Sequence, residues 1–252
     1  VLSSSQQAVL WIACAGMGVG ALAIAGLSRR APAGQKHHFV MSFAVCALAF
    51  TAYYAMANGY GIVRVGTRIE FFARYIDWVT TTPLLLAGLL TIALPTLKGA
   101  GVEEARERTA LVGGVIGADM FMILTGLFAG LSNNNPVKYG FYAISCLAFL
   151  AILYVLWGPV RAAAKAQGAS IEALFMRLAT VLSVLWCIYP VLWLLGTEGT
   201  KTLSLTGEIV VFAVIDLCAK VGFGLLLCTG VIGEMDAVRS AKQRRPVAGA
   251  VA

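Results

Sequence analysis

Seven long apolar stretches, at about residues 6–28, 38–60, 68–95, 107–131, 136–159, 172–196 and 203–232, take up most of this 252-residue chain. Each crossing of a bilayer needs ~20 apolar residues to traverse ~30 Å of hydrocarbon, so seven crossings leave only short connections. The composition agrees, with 60% hydrophobic and 12% charged residues, which excludes a soluble domain of ordinary make-up. The expected fold is all-α, a single domain over residues 1–252 formed by a bundle of seven transmembrane helices. The first stretch has neither a basic leader nor an Ala-x-Ala cleavage site and is expected to stay as a helix.

Turn signals separate the stretches at Ala31-Pro32-Ala33-Gly34, Gly59-Tyr60-Gly61, Lys98-Gly99-Ala100-Gly101, Asn133-Asn134-Asn135-Pro136 and Gly196-Thr197-Glu198-Gly199. The cysteines at 14, 46, 146, 187, 218 and 228 lie within apolar runs and form no CxxC pair, so neither a disulfide framework nor a metal site is supported. The net charge of +7 does not point to nucleic acid, because the cations fall in separated clusters between apolar runs.

Those clusters predict orientation. Arg29, Arg30, Lys36, Lys98, Arg106, Arg108, Arg161, Lys165, Arg177, Arg239, Lys242, Arg244 and Arg245 fall on one side, against Arg64, Arg68, Lys138 and Lys201 on the other. The richer side is expected to be cytoplasmic, with the N-terminus outside and the C-terminus inside, in a multi-pass protein of the cell membrane.

Two cations, Arg74 and Lys220, fall inside spans, as do Asp77, Asp119 and Asp216. An ionisable group at mid-bilayer costs roughly 2.5–3.5 kcal/mol or more, so each one is a functional hypothesis. Asp216 and Lys220 are four residues apart and share a helical face, and Arg74, Asp77 and Thr81 form a second stripe. Turned inward, the two stripes make a buried cluster of two cations and two anions. A structural ion-pair network would use the same spacing; a buried lysine is also the usual site of Schiff-base chemistry. Trp78 adjoins Asp77, while Trp186, Tyr189 and Trp193 form a stripe around Pro190. Such a stripe serves core packing more often than cofactor binding, but flat rings beside a buried amine suit a flat conjugated ligand.

The runs RYIDWVTTTP (Arg74 to Pro83), GADMFMILTG (Gly117 to Gly126), WCIYPVLW (Trp186 to Trp193) and DLCAKVGFG (Asp216 to Gly224) resemble the microbial (type 1) rhodopsins, near the bacteriorhodopsin-like proton pumps, in order and helix position. The resemblance covers essentially the whole chain. It implies all-trans-retinal held covalently on Lys220 as a protonated Schiff base, hence a light-driven transporter or photoreceptor and not an enzyme. By position Asp77 resembles the proton acceptor, with Thr81 as its partner. Asp216 resembles the second counterion, held by Tyr53 and Tyr189, and Arg74 lies one turn outward. Trp78, Thr82, Leu85, Met122, Gly126, Ser145, Trp186, Pro190 and Trp193 would line the retinal pocket. Tyr142 stands there in place of the family's usual tryptophan. Asp119 is expected to be a neutral carboxyl bonded to Thr82. Glu198 and Glu208 match the acids that release a proton outside, although solvated surface acids would also fit their positions.

One departure stands out. The family's pumps place an acid eleven residues after the acceptor, ~16 Å toward the cytoplasm on nearly the same face, and here that position is Gly88. This groups the chain with the Asp-Thr-Gly class, resembling proteobacterial rhodopsins, and predicts that protons are reloaded from the cytoplasm without a carboxylic donor. The leading expectation is an outward light-driven proton pump moving protons through internal waters, with lipid around it and a homo-oligomer, trimer or pentamer, in the membrane. A sensory rhodopsin signalling through a membrane transducer is the other reading.

Overall fold

The computed structural model describes residues 2–94 and 101–244. Lys98, Arg245, the turn at 98–100 and residue 95, which ends the third expected stretch, lie outside the described residues. Seven helices among those described are long and apolar enough to cross a membrane. They are α1 (Ser4–Leu27), α2 (Lys36–Ala57), α3 (Phe72–Ala93), α4 (Val102–Leu131), α5 (Asn135–Val155, carried on by a π turn at Leu156–Val160 and by Arg161–Ala166), α6 (Ala169–Leu195) and α7 (Leu205–Leu217, a π turn at Cys218–Gly222, then Phe223–Arg244).

The helix starts follow local chemistry. Ser3 caps α1 in a reciprocal box with Gln6, Asn134 caps α5 just ahead of Pro136, and Ser204 caps α7. Each cap satisfies amide donors that the first turn leaves without carbonyl partners. Helices adjacent in sequence pack side by side, α1 also meets α7, and α3 reaches across to α6 and α7. Between α1 and α7 the approach depends on Gly16 and Gly20, because a Cβ on Gly16 would lie 2.7 Å from Leu217 and one on Gly20 would collide with Val221. Small residues four apart let two membrane helices come close, where packing rather than hydrophobicity drives association.

The polarity of a soluble protein is inverted. Leu22, Ile12, Leu147 and Tyr154 are exposed on the outside of the bundle, whereas Arg74, Asp77, Thr81, Asp119, Glu208, Asp216 and Lys220 are buried within it. Helix α3 is the most enclosed of the seven, which suits the helix that carries Arg74 and Asp77.

Two local departures from the expected spans matter for the site. Residues 68–70, read from sequence as the start of the third span, form strand β2 (Arg68–Glu70), which pairs antiparallel with β1 (Val63–Val65). Gly66, with φ of +60°, makes the reversal that a side chain would resist, so the chain turns back before α3 begins. The second is the π turn around Lys220. A π turn admits one residue more than an α turn and recurs at functional positions.

Candidate functional site

Lys220 is 2% exposed and projects from the π turn of α7 toward two carboxylates. Its Nζ lies 2.7 Å from Oδ1 of Asp216, one turn back on the same helix, and 3.1 Å from Oδ2 of Asp77 on α3. The two acids are held very differently. Asp216 accepts from Tyr53 of α2 at 2.7 Å, from Tyr189 of α6 at 2.6 Å and from the Trp78 indole at 3.3 Å, in addition to Lys220. Asp77 Oδ1 is buried with no hydrogen-bond partner among the described residues. The Thr81 hydroxyl donates instead to the main-chain carbonyl of Asp77, at 2.8 Å. One carboxylate is therefore saturated and the other keeps free acceptor capacity.

Arg74 separates from this centre. The four-charge cluster drawn from the sequence resolves into Lys220 with the two aspartates and, nearer the hairpin, Arg74 with Glu208, 2.9 Å from Nη1 to Oε1. Two like charges on Arg74 and Lys220 repel, and the long arginine stem lets its head find a carboxylate of its own. The guanidinium is also clasped by the rings of Phe71 and Phe212, at 4.5 and 4.4 Å.

Glu208 and Glu198 are both buried, at 0% and 2% exposure, so neither is a solvated surface acid. Glu208 Oε2 accepts from the amide and hydroxyl of Thr197, at 2.8 and 2.9 Å. Lys138 donates to the main-chain carbonyl of Glu198 at 2.8 Å, and Glu198 Oε2 has no partner among the described residues. The two carboxylates converge on Gly196, where a Cβ would stand 2.9 Å from Glu208 Oε2 and 3.0 Å from Glu198 Oε2. Burial first, and the neighbouring Glu208 charge second, push the Glu198 carboxyl up to about 7.

A largely apolar chamber runs from Lys220 between α3, α4, α5 and α6. Trp78, Thr82, Leu85, Met122 and Gly126 line one part of it; Tyr142, Ser145, Trp186, Tyr189, Pro190 and Trp193 line the rest. Tyr53 and Asp119 stand behind the wall, the first on Asp216 and the second accepting from Thr82 at 2.7 Å. Tyr142 stacks on Trp193 with 4.6 Å between ring centres and donates to the Pro190 carbonyl at 3.0 Å. Trp193 in turn donates to the Tyr75 hydroxyl at 3.0 Å. Tyr75, Ile123, Cys146, Phe149, Phe212 and Ala219 also line the chamber and were not picked out from sequence; apolar residues on helices give no signal for the face they turn inward. Flat aromatic walls and one buried amine balanced by carboxylates fit a long conjugated aldehyde condensed onto Lys220.

Two titratable groups escaped the sequence reading. Glu70 ends β2 and is 1% exposed. An acid within the stretch 68–95, between Ile69 and Phe71, was signal enough to find it. His38 of α2 is 1% exposed, with neither ring nitrogen partnered among the described residues, and its ring lies 4.0 Å from that of exposed His37. It lies at the end of the bundle away from the hairpin. On that side a Cβ at Gly88 would stand 3.0 Å from Leu227, so Leu227 fills the space that a longer side chain would need.

The Bacteriorhodopsin-like protein family matches residues 4–233. A bacteriorhodopsin of Haloterrigena sp. is 39% identical over 86% of this chain and 85% of its own length. Sensory rhodopsin-2 of Natronomonas pharaonis is 36% identical over 86% of each. Among solved structures, the light-driven proton pump of Coccomyxa subellipsoidea superposes with a TM-score of 0.81 at 32% identity, covering 91% of this chain and 98% of that one. The fold and the buried amine thus define a multi-pass, seven-helix membrane protein of the microbial rhodopsin type. The chain belongs to the bacteriorhodopsin-like family.

Proposed function

We propose that the protein is an outward light-driven proton pump, with the hairpin side facing out and retinal joined to Lys220 as a protonated Schiff base. The single observation that carries this reading is the asymmetry of the two aspartates around one buried nitrogen. When bound, retinal supplies the trigger, a light-driven isomerisation that reorients the charge at the nitrogen. Lys220 Nζ holds one proton between Asp77 and Asp216. Asp77 is its destination, because Asp216 is already committed to three other donors while Asp77 Oδ1 is free.

A neutral Asp77 no longer draws Arg74 inward, so the guanidinium charge weighs more heavily on Glu208 and Glu198. That charge favours ionised carboxylates, and a proton leaves Glu198 toward the outside. Lys220 Nζ then regains a proton from the cytoplasmic side, where Gly88 offers no acid. The imidazole of His38, buried and tilted against exposed His37 with 4.0 Å between ring centres, lies in that half of the bundle. Pro190 of α6 cannot donate a main-chain hydrogen bond and is a natural bending point for opening this path.

The test is to illuminate unbuffered cells that carry the pigment and to follow external pH. Acidification abolished by a protonophore is expected. A correctly pigmented sample with no pH change would move the assignment to the second reading, a photosensor acting through a transducer. That reading is favoured by the empty Gly88 position and by the relative named as a sensory rhodopsin. The buried Glu198 and Glu208 favour pumping.

A further inference from the structure

We propose that Glu70 is a third carboxyl of the outer proton-release group, giving up its own proton to the outside and taking up in its place the one that leaves Glu198 and Glu208. The proposal rests on the pumping reading above and adds to it a residue on the hairpin.

The carboxyl is built into the interior. Glu70 closes the β ladder opposite Val63 and is followed at once by Phe71, whose ring clasps Arg74. The carboxyl lies against α4 at Gly130, where a Cβ would stand 3.0 Å from its carbon and from Oε1, and 3.1 Å from Oε2. A Cβ at position 130 would press on the carboxyl and oblige it to give by a few tenths of an ångström.

Its charge is poorly compensated. Oε2 has no hydrogen-bond partner among the described residues, and Arg68 Nε is 4.0 Å away. A charge-assisted N–H···O bond spans about 2.7–2.9 Å, so this pair is not closed. Arg68 instead directs Nη2 to the main-chain carbonyls of Gly130 and Ser132. A carboxylate buried without a closed partner is costly, and the inexpensive state is the protonated one.

The surroundings bind Glu70 to the release acids. Glu198 from the loop after α6, Arg74 from α3, Glu208 from α7 and Arg68 from its own strand all bear on its charge, and the Tyr75 hydroxyl of α3 lies within its field. Burial, then the Glu198 charge, hold Glu70 well above the usual carboxylate range. Three acids thus face Arg74 and Arg68, and Lys138 is bonded to the Glu198 carbonyl.

A way out adjoins them. A polar cavity of about 230 Å³ is lined by Arg68, Lys138, Lys201, Asn133, Asn135 and Thr67, among others, with no carboxylate among the described residues of its wall. Arg68 joins it to Glu70 and Lys138 joins it to Glu198. A proton entering this cationic vestibule finds no acid to hold it and passes to the medium, which favours release over return.

The test is flash excitation of the retinal-loaded protein with a pH-sensitive dye outside, alongside light-minus-dark infrared difference spectra. Glu70→Gln keeps the shape and removes the exchangeable proton. It is expected to slow proton release by about a hundredfold, the low end of what a positioned acid contributes, and to remove a carboxyl band from the infrared difference. Glu70→Asp is expected to restore release in part. Gly130→Ala, which crowds the same carboxyl, should slow release without touching Glu70 itself. If Glu70→Gln does not yield pigment, Glu70→Asp and Gly130→Ala carry the same test. Release timing and carboxyl bands indifferent to these changes, with release still lost in Glu198→Gln, overturn the role of Glu70 and leave the pump intact. No release from the unsubstituted protein overturns both.

Discussion

The Arg74 guanidinium bonds to Glu208, not to the nearby Asp77, with 2.9 Å between Nη1 and Oε1 and both side chains almost wholly buried. Charge on α3, one turn from Asp77, is thereby linked to charge on α7 toward the hairpin end of the bundle. Removing one partner of a buried pair strands the other, at a cost of about 3–5 kcal/mol. Glu208→Gln is expected to lower the temperature at which the pigment bleaches and to delay proton release. Unaltered bleaching and unaltered release would mean that the pair carries neither load.

Asp77 and Asp216 should respond differently to the same change. Asp77→Asn is expected to keep the pigment and abolish light-driven acidification, because the free acceptor is gone. Asp216→Asn disturbs an acceptor that serves Tyr53, Tyr189, Trp78 and Lys220, and leaving buried donors poorly satisfied costs about 1–3 kcal/mol each. Lower pigment yield and thermal stability are expected from it. Equal effects of the two substitutions on yield and transport would contradict the asymmetry.

Glu198 gives a pH dependence with a definite sign. Its carboxyl is raised from the ordinary 4.5 to about 7, chiefly by burial and then by Glu208. Between those values the folded protein binds more protons than the unfolded chain. This contribution to stability is therefore full below about pH 4.5, falls as pH rises, and is lost above about 7. Above about 7 the group has also already lost its proton in the dark. Light-triggered early release should decline as pH is raised through about 7, and Glu198→Gln should remove that titration. Dye-detected release measured from pH 5 to 9 checks both.

His38 offers a test of the half of the bundle away from the hairpin. His38→Asn is expected to slow the return of the proton to Lys220 severalfold, with small permeant acids such as azide restoring the rate. A recovery rate indifferent to this change but falling tenfold per pH unit would assign reloading to bulk protons alone, as the sequence reading expects. Time-resolved absorbance at several pH values separates the two.

The spans and the buried Lys220 were legible because they rest on local quantities, namely runs of apolar residues and charges where charges are costly. The facing of Asp216 toward Lys220 followed from a spacing of four. The partner of Arg74 did not, since Glu208 is 134 positions away and only the packing of α3 against α7 brings them together. The hairpin was missed because each strand has three residues and Arg68–Glu70, despite its two charges, adjoins the apolar run of the next span and was counted into it. With the hairpin went Glu70. His38 was passed over because an exposed and a buried imidazole look alike in a sequence, and here they are neighbours.

The wide turn at Cys218–Gly222 phases the two halves of α7 independently. Each residue of an α-helix advances the chain by about 100°, so a surplus residue carried in regular α turns would rotate everything beyond Gly222 by more than a quarter revolution, whereas the wide turn takes it up locally. Asp216 and Glu208 precede that offset, while Leu227, which packs at Gly88, follows it. The short bulge therefore acts as an angular joint, holding Asp216 on one side of it and Leu227 on the other against the same bundle interior.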